Sequence, residues 1–387
     1  MRKAFKFRLY PNREQRAKLV QTLETCRILY NNALAERRVA WKKEKRSINY
    51  HQQAVALPSQ KESDPRLQEV HSQVLQDVLR RVDKAFRNFF RRVKNGEKPG
   101  YPRFKGKGRY DSFTYPQFGF AIVGKKLCLS KIGEVNIKLH RSIEGTIKTC
   151  TIRRDVDRWY ACFSVELPDI AMKKEVKIAA GVDVGITNIV ALSTGEKIEP
   201  PKFLRKSEEK LAREQRRLSE KEKHSSNRKR QRLKVARVHR KVRDQRLDFV
   251  HKLSRSLVNR FDLIAFEDLR IKNMLRNHHL AKGISDASWF MLQSFTSYKA
   301  EEAGKHVVFV APNGTSQECS NCEVIVEKGL SERVHRCPHC GLVMDRDVNS
   351  SINILKRVGQ GLPDLMPAVG LPLGTPLKQE ATLFKER

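Results

Sequence analysis

The sequence predicts a multidomain α+β chain, with an antiparallel β-domain interrupted by helices and then an α/β core that carries a cysteine-rich insert. Three observations predict it. Short alternating segments recur near residues 3–10 and 112–167, apolar strands in the second half are separated by long helical stretches, and two C-x-x-C pairs break the last third. At 387 residues the chain has room for two or three domains, each with its own core.

Residues 3–10 alternate Phe5, Phe7 and Leu9 with Lys and Arg and read as a strand, which Pro11 ends. Asn12 and Gln15 form a capping box for a helix whose apolar face holds Leu19, Leu23, Cys26, Tyr30, Ala33 and Leu34. Residues 42–65 are polar and poorly patterned. A second helix then repeats apolar residues from Val70 to Val93 at 3.6 spacing. Its other face carries Gln73, Gln76, Arg80 and Lys84, amides and cations equipped to meet bases and phosphates. The loop N-G-E-K-P-G-Y-P-R-F-K interleaves Tyr101 with Arg103 and Lys105, which suits stacking and phosphate contact. Segments 118–123, 126–129, 135–139, 147–153 and 159–165 read as an antiparallel domain, a small β-barrel that the first strand joins, with the two helices inserted.

A boundary falls near residues 168–177. The stretch K-I-A-A-G-V-D-V-G-I-T-N-I-V-A-L then reads as a strand, a tight turn and a returning strand, with Asp183 ending the first. Residues 202–246 hold 19 Lys and Arg against 6 Asp and Glu and break at Ser225-Ser226-Asn227, so they predict a basic helical hairpin. A run this one-sided repels itself unless a polyanion neutralises it. F-D-L-I-A-F-E-D-L is a further apolar strand ending at Glu267 and Asp268, and His306–Ala311 is another.

The net charge of +35, from 78 basic and 43 acidic residues, makes a polyanion the first partner to consider. No run of 18 apolar residues predicts a membrane span, and the first residues lack the apolar core of a secretion signal. Cys26, Cys128, Cys150 and Cys162 follow no pairing pattern, so a reducing compartment is expected.

The remaining cysteines are different. Cys319 and Cys322 form one C-x-x-C, and after fourteen intervening residues Cys337 and Cys340 form another. Paired knuckles at this spacing predict one tetrahedral zinc ion, and four thiolates leave no position for an activated water, so the metal is structural. Seven residues after Cys340 comes Asp347, at the start of an apolar helical run. Asp183 and Glu267 ending strands, with Asp347 opening a later helix, is the pattern of an RNase H-like nuclease core. There, converging carboxylates hold two magnesium ions for in-line hydrolysis of a phosphodiester. The spacing alone leaves open whether Glu267 or Asp268, and Asp345 or Asp347, is the ligand.

G-V-D-V-G-I-T-N, F-E-D-L-R-I-K-N, T-S-Q-E-C-S-N-C, C-P-H-C and D-R-D-V-N-S-S-I-N, in this order, resemble the motifs of the TnpB family. R-L-Y-P-N near the start, the helix of residues 78–90 and P-G-Y-P-R-F-K extend the resemblance over residues 1–358. TnpB proteins are transposon-encoded, RNA-guided DNA endonucleases akin to type V CRISPR effectors. The resemblance implies a division into the first strand of a wedge β-barrel (1–11), a helical recognition domain (12–94) and the rest of the barrel (95–170). A RuvC-like nuclease core (175–311) follows, with the basic hairpin 202–246, a zinc finger (312–344) and the end of the core (345–358); residues 359–387, rich in Pro, Gly and Leu without period, read as a mostly disordered tail. The resemblance selects Asp183, Glu267 and Asp347 as the magnesium-binding catalytic triad. It also implies a guide RNA from the transposon end as a cofactor, double-stranded target DNA beside a short protein-read motif, and a place in the prokaryotic cytoplasm with the nucleoid. Two other functions compatible with the family are a guided repressor that no longer cuts and transposase-type strand transfer. All three acids are present, which favours cutting. Glu323 stands where the family usually has glycine, and Ser350-Ser351 replaces a commoner alanine pair.

Overall fold

The computed structural model describes residues 1–172, 175–274, 276, 278–329 and 332–361. The chain forms two compact units, Met1–Asp169 and Ile170–Arg387.

The first unit opens with β1 (Arg2–Tyr10), α1 (Arg13–Glu44), α2 (Tyr50–Val55), α3 (Leu57–Ser63), α4 (Pro65–Gln68) and α5 (Ser72–Lys94). Six strands follow: β2 (Ser112–Tyr115), β3 (Phe120–Val123), β4 (Lys126–Leu129), β5 (Gly133–Lys138), β6 (Thr146–Asp155) and β7 (Arg158–Glu166). They form one antiparallel sheet in the order β2-β6-β7-β1-β5-β4-β3, so the first strand sits at its centre between β5 and β7. The sheet curls strongly. Phe120 of β3 packs 6.2 Å from Phe163 of β7 and 6.4 Å from Tyr115 of β2, yet β2 and β3 remain its edges in the pairing order. Alternation explains the core, because Phe5, Phe7 and Leu9 point inward while Arg2, Lys6 and Tyr10 stay exposed.

Two sequence expectations change here. Within and just beyond residues 42–65, read as poorly patterned, the chain forms three short helices, two of them opening on capping asparagine or aspartate side chains (Asn49, Asp64). The apolar stripe of α5 is buried only as far as Val82, and Phe90 and Val93 are exposed. Beyond that turn the helix outruns the residues it packs on, and Phe86 and Phe89 meet the ring of Tyr101 edge-on instead.

The second unit holds β8 (Ala179–Asp183), β9 (Val190–Leu192), β10 (Lys197–Ile198), α6 (Phe203–Ser219), α7 (Ser226–Arg260) and β11 (Leu263–Glu267). Then come α8 (Ile271–Met274), α9 (His278–Ala287), α10 (Trp289–Glu302), β12 (His306–Val310), β13 (Val334–Arg336), β14 (Val343–Asp345) and α11 (Arg346–Gly361). Its main sheet runs β10-β9-β8-β11-β12, with β8, β11 and β12 parallel and β9 and β10 antiparallel. Both faces are covered. Ala180, Val182, Ile264 and Phe266 pack with α7 and α10, while Ala179, Leu263 and Ala265 pack with Ile354, Leu355 and Val358 of α11. The near-continuous apolar strands follow from this double burial. β13 and β14 form a separate two-stranded ribbon. Because α11 runs to Gly361, the first residues of the expected tail are helical, and residues 362–387 lie outside the described ones.

Candidate metal and carboxylate site

The four knuckle cysteines cluster as their spacing requires. Their sulfurs all lie within 4.8 Å of one another, with Cys319 Sγ 3.6 Å from Cys340 Sγ and Cys322 Sγ 3.5 Å from Cys337 Sγ. A tetrahedron with metal–sulfur bonds of about 2.3 Å has edges of roughly 3.8 Å, so the donor set fits zinc. Within the cluster the Asn321 side chain and the Leu342 N–H lower the Cys340 thiol, whereas, against the Val324 N–H, burial and the neighbouring cysteines raise that of Cys322. Glu323 closes the first knuckle with φ 64°, the left-handed region where glycine is the unstrained choice.

The carboxylates gather through register. In the parallel pair β8–β11, Phe266 lies opposite Val182, which brings Glu267 level with Asp183 at the strand ends. Strand alternation turns Gly181 and Asp183 to one face, together with Ala265 and Glu267 of the neighbour. That face meets α11. The approach is close because residue 181 has no side chain, and a Cβ there would stand 1.9 Å from the Ser351 carbonyl oxygen. Asp347 lies four residues before Ser351 and so on the same side of the helix. Its negative charge reaches Asp183. Burial first, then Glu267 and Asp347, hold the Asp183 carboxyl well above its ordinary range, against the Val184 N–H and Arg346. Burial also raises Glu267, opposed by a hydrogen bond from Thr315 and by Arg357.

The two ambiguous pairs separate on this geometry. Glu267 is buried and Asp268 is exposed. Asp345 caps α11, its Oδ1 accepting the N–H of Asp347 at 3.0 Å and of Val348 at 3.3 Å, while Oδ2 accepts from Lys197 at 2.8 Å. Burial alone would raise Asp345, but Lys197 and those N–H groups outweigh it and hold the carboxyl below its ordinary value. Asp347 points to Asn188, whose Nδ2 donates to it at 3.3 Å, and to Arg333 at 4.0 Å.

Residues that sequence reasoning passed over hold these groups in place. The Thr315 hydroxyl bonds Glu267 Oε1. Gln293 Nε2 donates to the Glu267 carbonyl at 3.1 Å, and Trp289 Nε1 donates to the Gly185 carbonyl at 3.1 Å. Asn349 and Asn353, one turn apart on α11, clasp the chain entering the first knuckle. Asn349 accepts from Ser320 N–H at 2.9 Å and donates to the Glu318 carbonyl at 2.7 Å; Asn353 donates to the Thr315 and Glu318 carbonyls at 2.9 and 2.7 Å. Buried asparagines at i and i+4 in D-R-D-V-N-S-S-I-N were the available signal, since such amides need partners.

The expected nucleic-acid contacts lie in the first unit. Gln73 accepts from the Phe118 N–H at 3.0 Å, and Arg80 donates to the Tyr50 hydroxyl at 3.2 Å. Gln76 is half-buried, while Lys84 and Arg103 are exposed. The Arg38 guanidinium lies 5.6 Å from the Tyr101 ring centre and 5.2 Å from that of Phe104. The backbone of Lys105 is pinned to Asn31, N–H to Oδ1 at 2.8 Å and carbonyl to Nδ2 at 3.0 Å. In the second unit, α6 and α7 form a hairpin tied by Gln231 to Glu214 and by Arg228 to the Leu218 and Lys221 carbonyls, and α6 has no buried residue. Among the described residues no helix is long and apolar enough to cross a membrane.

Fold and site define a mixed α/β protein of two units, with a four-cysteine cluster that fits a metal fastened to a helix that begins beside acids at two strand ends. Residues 162–278 match the OrfB_IS605 family, described as "Probable transposase". Residues 289–354 match the Cas12f1-like TNB domain, and residues 1–46, here β1 and one long helix, match a helix-turn-helix domain of OrfB_IS605. A Streptomyces pristinaespiralis protein named "Putative RNA-guided DNA endonuclease" is 40% identical over 92% of this chain and 89% of its own length. The Escherichia coli K12 protein "Putative RNA-guided DNA endonuclease InsQ" is 30% identical over 98% and 97%. A Cas12f1–sgRNA–target DNA complex aligns with TM-score 0.36 at 15% identity over 92% of this chain and 99% of that one. The chain belongs to the TnpB (OrfB_IS605) family.

Proposed function

We propose that this protein is an RNA-guided DNA endonuclease whose second unit is a RuvC-like, RNase H-type core. The observation that carries this reading is that Asp183 and Glu267 end neighbouring parallel strands in register, while Asp347 at the start of α11 acts electrostatically on Asp183. The parallel strands, the antiparallel edge and the names of the relatives support it. Glu267 and Asp347 both oppose the charge on buried Asp183, a divalent cation would relieve that repulsion, and carboxylate oxygens are the donors magnesium prefers. When bound, magnesium supplies Lewis acidity for the attacking water and the leaving 3′-oxygen. The chain's own share is to hold the acids rigidly: Asp183 through its strand, Glu267 through Thr315 and Gln293, Asp347 through the Asp345 cap and Asn188.

In this reading zinc occupies the four cysteines and braces the entry of α11. The first unit and the basic hairpin hold the guide RNA and its DNA hybrid, and the first unit reads a short motif beside the target. Sequence choice falls to base pairing. The test uses protein copurified with its RNA and DNA matched to that guide. Wild type cuts in magnesium, and Asp347→Ala abolishes cutting while RNA binding persists. Undiminished cutting by Asp347→Ala would overturn the assignment.

A further inference from the structure

We infer that Thr315 is a positioning residue for the acid cluster, and that through it the four-cysteine element sets the orientation of Glu267. The inference rests on the nuclease reading above for what the cluster does, but its contacts stand independently.

Glu267 is buried at the end of β11, with its side chain on the face under α11. A carboxylate there can rotate among several rotamers, only some of which turn an oxygen toward Asp183 and Asp347. The Thr315 hydroxyl bonds Oε1, so one oxygen is engaged and the rotamer is held. A ligand for a divalent cation must be pre-oriented, and loss of the groups that orient ligands commonly changes metal affinity or activity about 10- to 100-fold.

Thr315 is itself fixed from behind. It is 2% exposed, and its carbonyl accepts from Asn353 Nδ2 of α11 at 2.9 Å. Four residues later the chain reaches Cys319, and the same Asn353 amide also reaches the Glu318 carbonyl at 2.7 Å. The path from the thiolates to Glu267 is therefore short: Cys319, the Glu318 carbonyl, Asn353, the Thr315 carbonyl, the Thr315 hydroxyl. A metal in the knuckle holds its first link, so the knuckle's work extends beyond stability to the geometry of one acid.

Thr315→Val removes the hydroxyl and keeps the shape, while Thr315→Ser keeps the hydroxyl and removes the methyl group. Full-length, RNA-loaded protein is compared in three measurements: Mn²⁺ binding by electron paramagnetic resonance without DNA, the magnesium dependence of cutting guide-matched DNA, and thermal unfolding. Thr315→Val is expected to weaken Mn²⁺ binding about 10-fold or more and to raise the half-saturating magnesium concentration to match, with RNA binding unchanged. Thr315→Ser is expected to restore both to within about threefold of wild type. Wild-type Mn²⁺ affinity in Thr315→Val would overturn the inference, as would Thr315→Ser failing as badly as Thr315→Val, which would assign the role to packing. If wild type itself cuts no matched DNA, the nuclease reading fails, and the Mn²⁺ comparison still decides whether Thr315 positions Glu267.

Discussion

Gly181→Ala adds one methyl group at the point where β8 and α11 touch, and its effect follows from two distances. The new carbon would lie 1.9 Å from the Ser351 carbonyl oxygen and 3.0 Å from the Leu355 nitrogen. Ordinary carbon–oxygen contact needs about 3.5 Å, so strand and helix must separate by roughly 1.5 Å. Both obstacles are helix backbone, which cannot rotate away as a side chain would. Overpacking in cores costs about 1–3 kcal/mol, and a backbone obstacle belongs at the upper end. For a unit of this size about 3 kcal/mol lowers the melting temperature by roughly 6–12 °C. The same retreat carries Asp347 away from Asp183, and a misplacement of about 1 Å can cost 100-fold in rate. Differential scanning calorimetry and a cleavage time course on the RNA-loaded protein measure both effects. A melting temperature within a degree or two of wild type, with an unchanged cleavage rate, would refute the claim that close backbone approach at Gly181 joins the two acids.

Other substitutions test separate parts of the structure. Glu323→Gly should stabilise the protein by about 0.5–1 kcal/mol, because a non-glycine residue at φ 64° is strained and the exposed pair it makes with Lys356 at 3.6 Å is worth little; a lower melting temperature would contradict this. Asp345→Ala should cost about 1 kcal/mol of stability through the cap and Lys197 yet leave far more cleavage than Asp347→Ala, and equal losses would make Asp345 a ligand. Elemental analysis should find one zinc per chain, and Cys337→Ser should lose it along with protease resistance around residues 315–329, whereas a zinc-free wild type would sink the metal assignment. Neutralising the exposed Arg216, Arg230 and Lys234 to glutamine should flatten the salt dependence of RNA binding, by roughly 0.7 in slope for each phosphate that a cation no longer neutralises, and an unchanged slope would place the RNA elsewhere.

Much of the site was legible in the sequence because its parts are local. A C-x-x-C is a knuckle wherever it folds, and an acid after four apolar residues ends a strand. What stayed hidden was which neighbours meet. Nothing in F-E-D-L says that Glu267 turns inward and Asp268 outward, because that follows from the register of β11 against β8 and from α11 covering one face. Nothing in D-R-D says which aspartate caps the helix until Lys197 and the first N–H groups of α11 engage Asp345. The stripe of α5 misled beyond Val82 because periodicity records an apolar face and not the length of the partner that covers it.

The sequence by itself determined the paired cysteine knuckles, the basic hairpin, the alternating strands and the three places where acids fall, since each depends on residues close together along the chain. The tertiary structure decided how they act together. Parallel pairing brought Asp183 beside Glu267 across 84 residues of chain. The missing side chain at Gly181 let the helix bearing Asp347 come close. Thr315, Asn349 and Asn353 fastened the cysteine element to that helix and to Glu267. These are long-range hydrogen bonds and steric fits, and they exist only once both partners are in place.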